Sequence, residues 1–212
     1  MTQSHVIGVT LAGVLLGGTL GYVLETRGPV DPNPELERAT VLFGQHTPVP
    51  PFELIDHRAQ VFDESNLKSR WSLLFFGYTH CPDICPTTLS TVKGAIEVLN
   101  TPALDDLQVI FVSVDPERDS SSKLGRYITF FDPAFIGVTG EHERLERFTA
   151  ALGAVYRIEQ HNTEETNYAV DHSSRLLLIN PAGQLHAVFA PPHESGVLAH
   201  ELTIIAEAFG SA

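Results

Sequence analysis

Gly77-Tyr78-Thr79-His80-Cys81-Pro82-Asp83-Ile84-Cys85-Pro86-Thr87-Thr88-Leu89 contains both cysteines of a 212-residue chain. The run before it, Trp71-Ser72-Leu73-Leu74-Phe75-Phe76, is short, apolar and aromatic and ends at a glycine, which predicts a buried strand. After Cys85, the residues Leu89, Val92, Ile96 and Leu99 recur at helical spacing, and Pro86 suits a first turn, where its missing N–H costs nothing. The cysteines therefore fall at a strand-to-helix junction. A separation of four places both sulfurs on one side, near a helix N-terminus that favours thiolate over thiol. Two such thiols form a disulfide or hold a soft metal; the plain alternative is a pair of buried free cysteines. One residue more than a redox C-x-x-C pair widens the loop towards metal.

The run GYTHCPDICPTTL resembles the Sco/SenC family of copper-handling proteins. Two later stretches are similar to the same family: Ser113-Val114-Asp115-Pro116-Glu117-Arg118-Asp119 and Val170-Asp171-His172-Ser173. The resemblance runs from about 52 to 209. It implies a thioredoxin-like α/β fold and a copper ion, as Cu(I) and also Cu(II). It further implies a recipient, the binuclear copper site of cytochrome c oxidase subunit II. Departures are mild. Ser120-Ser121-Ser122 stands where an acidic or Thr-Pro helix start is expected, and Asn180-Pro181-Ala182-Gly183 replaces a more acidic turn. The three liganding positions that the resemblance implies, Cys81, Cys85 and His172, are intact.

Composition narrows the alternatives. A formal net charge of -13 argues against a nucleic-acid partner, whose phosphates would be repelled. Two cysteines cannot build a multi-disulfide scaffold. Met1 is the only methionine, which argues against a thioether copper site.

The region 6–24 carries no charge and is close to the roughly 20 residues that span a bilayer as a helix. A cleaved signal peptide is the rival, but Thr2-Gln3-Ser4-His5 lacks the basic start it needs. We therefore expect an uncleaved transmembrane anchor over 1–27. Gly13, Gly17 and Gly21 form a small-residue stripe, which membrane helices often show without a partner. Charge leaves the orientation open, since only Arg27 flanks the span. The resemblance implies an outside domain, and without an Arg-rich transit peptide a bacterial inner membrane fits, with the domain in the periplasm. Six prolines between 28 and 51 predict an extended linker, with 36–43 as a short ordered piece at most.

The domain is expected over 52–212. Residues 52–55 and 60–62 predict an N-terminal β-hairpin, 107–114 a second buried strand, and 135–138 a short one. Helical spacing appears at Leu124, Ile128 and Phe131, at Leu145, Phe148 and Leu152, and at Leu198, Leu202, Ile205 and Phe209. Two strands, 175–179 and 184–189, flank the tight 180–183 turn and should pair. The order is that of a thioredoxin-like domain with inserted elements. In it, strand 175–179 runs antiparallel to 71–77, so His172 falls beside the cysteines; Asp115 ends a parallel strand at the same edge.

Two sulfurs and one imidazole suit Cu(I), tolerate Cu(II), and would accept zinc with a water; the resemblance favours copper. Among ten histidines, His5 precedes the anchor, His80 adjoins Cys81, and His46, His57, His142, His161, His186, His193 and His200 read as solvated. Asp115 and Asp171 are carboxylates that could hold the imidazole through its other ring nitrogen. For Asp115 a turn role before Pro116 is the alternative, and Asp119 reads as the cap of the next helix. Two functions follow: a membrane-tethered copper chaperone, or a thiol–disulfide oxidoreductase that reduces the recipient's cysteines. A peroxidase is a third reading that leaves the histidine unexplained.

Overall fold

The computed structural model describes residues 36–42, 47–159 and 168–210. All lie in one unit, Glu35–Ala212. The anchor expected over 1–27 lies outside the described residues, among which no helix is long and apolar enough to cross a membrane.

The strands are β1 (Ala39–Val41), β2 (Thr47–Pro48), β3 (Glu53–Asp56), β4 (Val61–Asp63), β5 (Ser72–Gly77), β6 (Gln108–Ser113), β7 (Ile136–Thr139), β8 (Tyr156–Ile158), β9 (Val170–His172), β10 (Leu176–Ile179) and β11 (Gln184–Phe189). The helices are α1 (Ile84–Val98), α2 (Ser121–Phe131), α3 (His142–Ala151) and α4 (Ser195–Gly210). Nine strands form one mixed sheet in the order β1-β11-β10-β5-β6-β7-β3-β4, with β2 also on β11. β5, β6 and β7 are parallel, and β10 is antiparallel to β5.

The central strands are buried on both faces, which explains their unbroken apolar runs. Alternation sorts their side chains. Leu73, Phe75, Val109 and Phe111 join a core with Leu89, Val92, Leu124 and Leu202 from α1, α2 and α4. Leu74, Phe76, Ile110 and Val112 face the other way, onto Leu145 and Phe148 of α3. Cys81 packs against both cores, at the rim where the two meet.

The expected hairpin, the parallel crossover and the β10–β11 pair are all present. Two differences concern us. The segment read as a linker belongs to the domain from residue 36: β1 and β2 pair with β11, and Val49 is buried. Glu201, buried on α4, holds this segment by accepting the backbone N–H groups of Glu37, Arg38 and Ala39 at 2.6, 2.6 and 3.2 Å. The second difference is a separate two-stranded ribbon, β8–β9, which carries His172 at its end.

Candidate metal centre

Gly77 ends β5 opposite Ser113 of β6, and the chain then turns before entering α1. The Cys81 N–H donates to the Tyr78 carbonyl at 3.2 Å, closing that turn. Cys85 lies in the first turn of α1, where backbone N–H groups have no helical acceptor. Its N–H donates to Cys81 Sγ at 3.4 Å, so the positive end of the helix is directed at that sulfur. Cys81 is half-buried and Cys85 is 1% exposed; both are free thiols. Gly77 is glycine for a steric reason: a Cβ there would stand 2.6 Å from both Cys85 Sγ and the Phe111 ring.

β9 brings His172 to the same rim. Its Nε2 lies 3.4 Å from Cys85 Sγ, and the two sulfurs and a ring nitrogen all lie within 4.8 Å of one another. Donors that share one small soft cation at bonds of roughly 2.0–2.3 Å stand about 3.5–4 Å apart, so the three fit a single ion. His172 Nδ1 is 3.1 Å from the Ser173 carbonyl. A carbonyl only accepts, so Nδ1 carries the proton and Nε2 turns its lone pair to the sulfurs. Burial lowers the His172 pKa, partly offset by the Ser173 carbonyl and the charge of Asp171. Burial also pushes the Cys85 thiol well above its ordinary value. The expectation that the helix end poises both sulfurs as thiolates thus fails for Cys85, because desolvation outweighs the helix end. Without an ion, Cys85 keeps its proton; a cation must displace it.

Neither expected carboxylate bonds the imidazole. Asp171 is exposed and pairs with Arg157 at 3.4 Å across the ribbon. Asp115 is fully buried, accepting from Arg118 Nε and from the Tyr168 hydroxyl at 2.8 Å. The Ser173 carbonyl takes the orienting role. Asp119 is not the helix cap; Ser120 is. Asp119 instead accepts from Thr79 N and Oγ1, at 2.8 and 2.5 Å, and from Ser113 Oγ at 2.6 Å, which pins the turn before Cys81. Asp115 and Asp119 also lie near His80, but Arg118 and Lys123 already supply their counter-charges. His80, 44% exposed at its side chain, faces Lys123 rather than the sulfurs. His186, read as solvated, is buried against Trp71 and Phe209. His5, His46 and His161 lie outside the described residues. The reading in sequence missed Arg118, Tyr168 and the role of Asp119. Three acids and an arginine packed into one strand-end turn, Asp115 to Asp119, were the available signal.

Fold and rim together define a class, the thioredoxin-like domains that carry a two-sulfur, one-nitrogen cluster where the first helix begins. The SCO1/SenC family model matches residues 43–207, and the chain belongs to that family. A SCO2-like protein of Rickettsia conorii is 35% identical over 185 residues, 86% of this chain and 88% of its own. Among solved structures, ScoI of Arabidopsis thaliana with copper bound is 31% identical, with a TM-score of 0.69 over 75% of this chain and 98% of that one. Yeast Sco1 with copper bound is 28% identical, with a TM-score of 0.69 over 74% of this chain and 86% of that one.

Proposed function

We propose that this protein is a copper chaperone that binds one copper ion through Cys81, Cys85 and His172. It delivers the ion to the binuclear copper site of cytochrome c oxidase subunit II during assembly. Residues 1–27 anchor it in a bacterial inner membrane, with the domain from residue 36 onward in the periplasm. The observation that carries the reading is the convergence of three donor atoms within 4.8 Å. Copper-bound relatives with the same fold support the choice of metal. The soft sulfurs suit Cu(I), and the imidazole extends the site to Cu(II). The cargo leaves by ligand exchange, one donor at a time, so no bond in a small molecule is made or broken.

The test is metal analysis of the reduced protein with copper and zinc in competition. Copper is retained preferentially; tighter retention of zinc would defeat the assignment. His172→Ala weakens copper binding beyond the roughly 10–100-fold typical of losing an outer partner, and leaves disulfide exchange intact. Full copper affinity in that variant means the three-donor site is wrong.

One observation favours a second activity at the same residues. The sulfurs are unequal: Cys81 is half-exposed and receives a helix N–H, while Cys85 is buried. That suits an attacking and a resolving thiol. Cys81 thiolate would attack a recipient disulfide to form a mixed disulfide. Cys85, giving its proton to the thiolate released in the first step, would then displace the recipient's second thiolate, leaving a Cys81–Cys85 disulfide and a reduced recipient. The two roles are compatible in sequence, reduction preceding metal transfer.

A further inference from the structure

His172 sits on a ribbon that, among the described residues, shares no ladder with the main sheet. Pairing into that sheet therefore does not set the distance between the imidazole and the sulfurs. On the downstream side the chain reaches β10 after three residues. On the upstream side stands Tyr168, buried and four residues before His172. Arg118 grips it twice. Its Nη1 donates to the Tyr168 carbonyl at 2.9 Å, and its guanidinium carbon lies 3.5 Å from the centre of the Tyr168 ring. Asp115 holds both partners, one carboxylate oxygen on Arg118 Nε and the other on the Tyr168 hydroxyl. That hydroxyl also lies 3.5 Å from Glu117 Oε2.

Arg118 also reaches the other half of the centre. Its guanidinium carbon is 5.4 Å from the centre of the Tyr78 ring. Tyr78 closes the Cys81 turn through its carbonyl and meets the His172 ring edge-on at 5.9 Å. We propose that Arg118, locked by Asp115 and clasping Tyr78 and Tyr168, is the positioning residue that sets the gap between the cysteine turn and His172. This rests on the reading that those three residues hold the ion. A flat cation is required, because only a guanidinium can stack on rings and donate in its own plane at once.

The test uses the full chain and the double substitution Arg118→Met with Asp115→Asn. Removing both charges together leaves no buried carboxylate without its counter-charge. Arg118→Lys keeps the charge without the plane, and Tyr168→Phe keeps the stack without the hydroxyl. Urea unfolding reports the fold, and NMR of the His172 ring in metal-free protein reports its place beside Tyr78. Copper titration and nitrogen hyperfine coupling to Cu(II) report ligation. The double variant is expected to fold, to shift and broaden the metal-free His172 signals, to bind copper roughly 10–100-fold more weakly and to weaken the nitrogen coupling. Arg118→Lys falls between it and the parent. A folded double variant with parental His172 signals and parental affinity overturns the proposal. Should the double variant unfold, parental signals and affinity in both Arg118→Lys and Tyr168→Phe overturn it equally. If copper binding in the parent proves independent of His172, the proposed function fails instead, and the metal-free signals still judge the clasp.

Discussion

Gly77 is the residue on which the packing of the centre depends most tightly. With 2.6 Å between a would-be Cβ and both Cys85 Sγ and Phe111, Gly77→Ala forces the sulfur or the ring to move. Overpacking of this kind costs about 1–3 kcal/mol, so we expect a lower urea midpoint together with weaker copper binding. His172 offers a second check. Burial favours its neutral form, so its folded pKa lies below the ordinary 6.5. Its contribution to stability is therefore complete above about pH 6.5 and declines as pH falls below it, until the folded pKa is passed. NMR titration of the metal-free imidazole measures the value directly. In His172→Ala this part of the acid slope should disappear. Strand order carries position 172 to the rim of β5, but it was the resemblance of Asp171-His172-Ser173 to the family motif that singled out this histidine among ten. The tautomer was not legible in sequence, since it depends on the imidazole turning back onto the Ser173 carbonyl.

At the scale of elements, the central strands and the helices were legible from period and burial, because each repeats one pattern over enough residues to show it. The β8–β9 ribbon was not. Its strands are three residues each, too short for their alternation to show, although Val170, Tyr156 and Ile158 pack on the second core and Arg118 ties down Tyr168. β1 and β2 were hidden for a similar reason, since they are short and lie among prolines. What fixes β1 is a contact over 160 residues away in the chain, the Glu201 carboxylate on three backbone amides. Its other oxygen, Oε2, is buried and has no hydrogen-bond partner among the described residues, so one oxygen performs the whole task. Glu201→Ala leaves three amides without their acceptor. We expect a loss of about 2–4 kcal/mol in urea unfolding, with faster hydrogen exchange at residues 37–39 than elsewhere in the sheet.

Across the whole molecule, the domain boundary is the clearest correction. A cut at residue 52, where the sequence pattern begins, discards β1, β2 and buried Val49, and strips Glu201 of its donors. A chain begun at residue 36 is expected to melt several degrees above one begun at 52, as differential scanning calorimetry would show. Copper stoichiometry of the two should match, because none of the three donors lies on β1 or β2. The net charge of -13 describes solubility and says little about the fold; the paired, buried Asp115 and Asp119 show that some of it is structural.

The pairing of β1 on β11 has one more consequence. Without it, β11 would present a bare row of amides and carbonyls to solvent, and any second molecule cut the same way would offer an identical row. The first residues of the domain thus work as a selvedge that keeps neighbouring copies from knitting together.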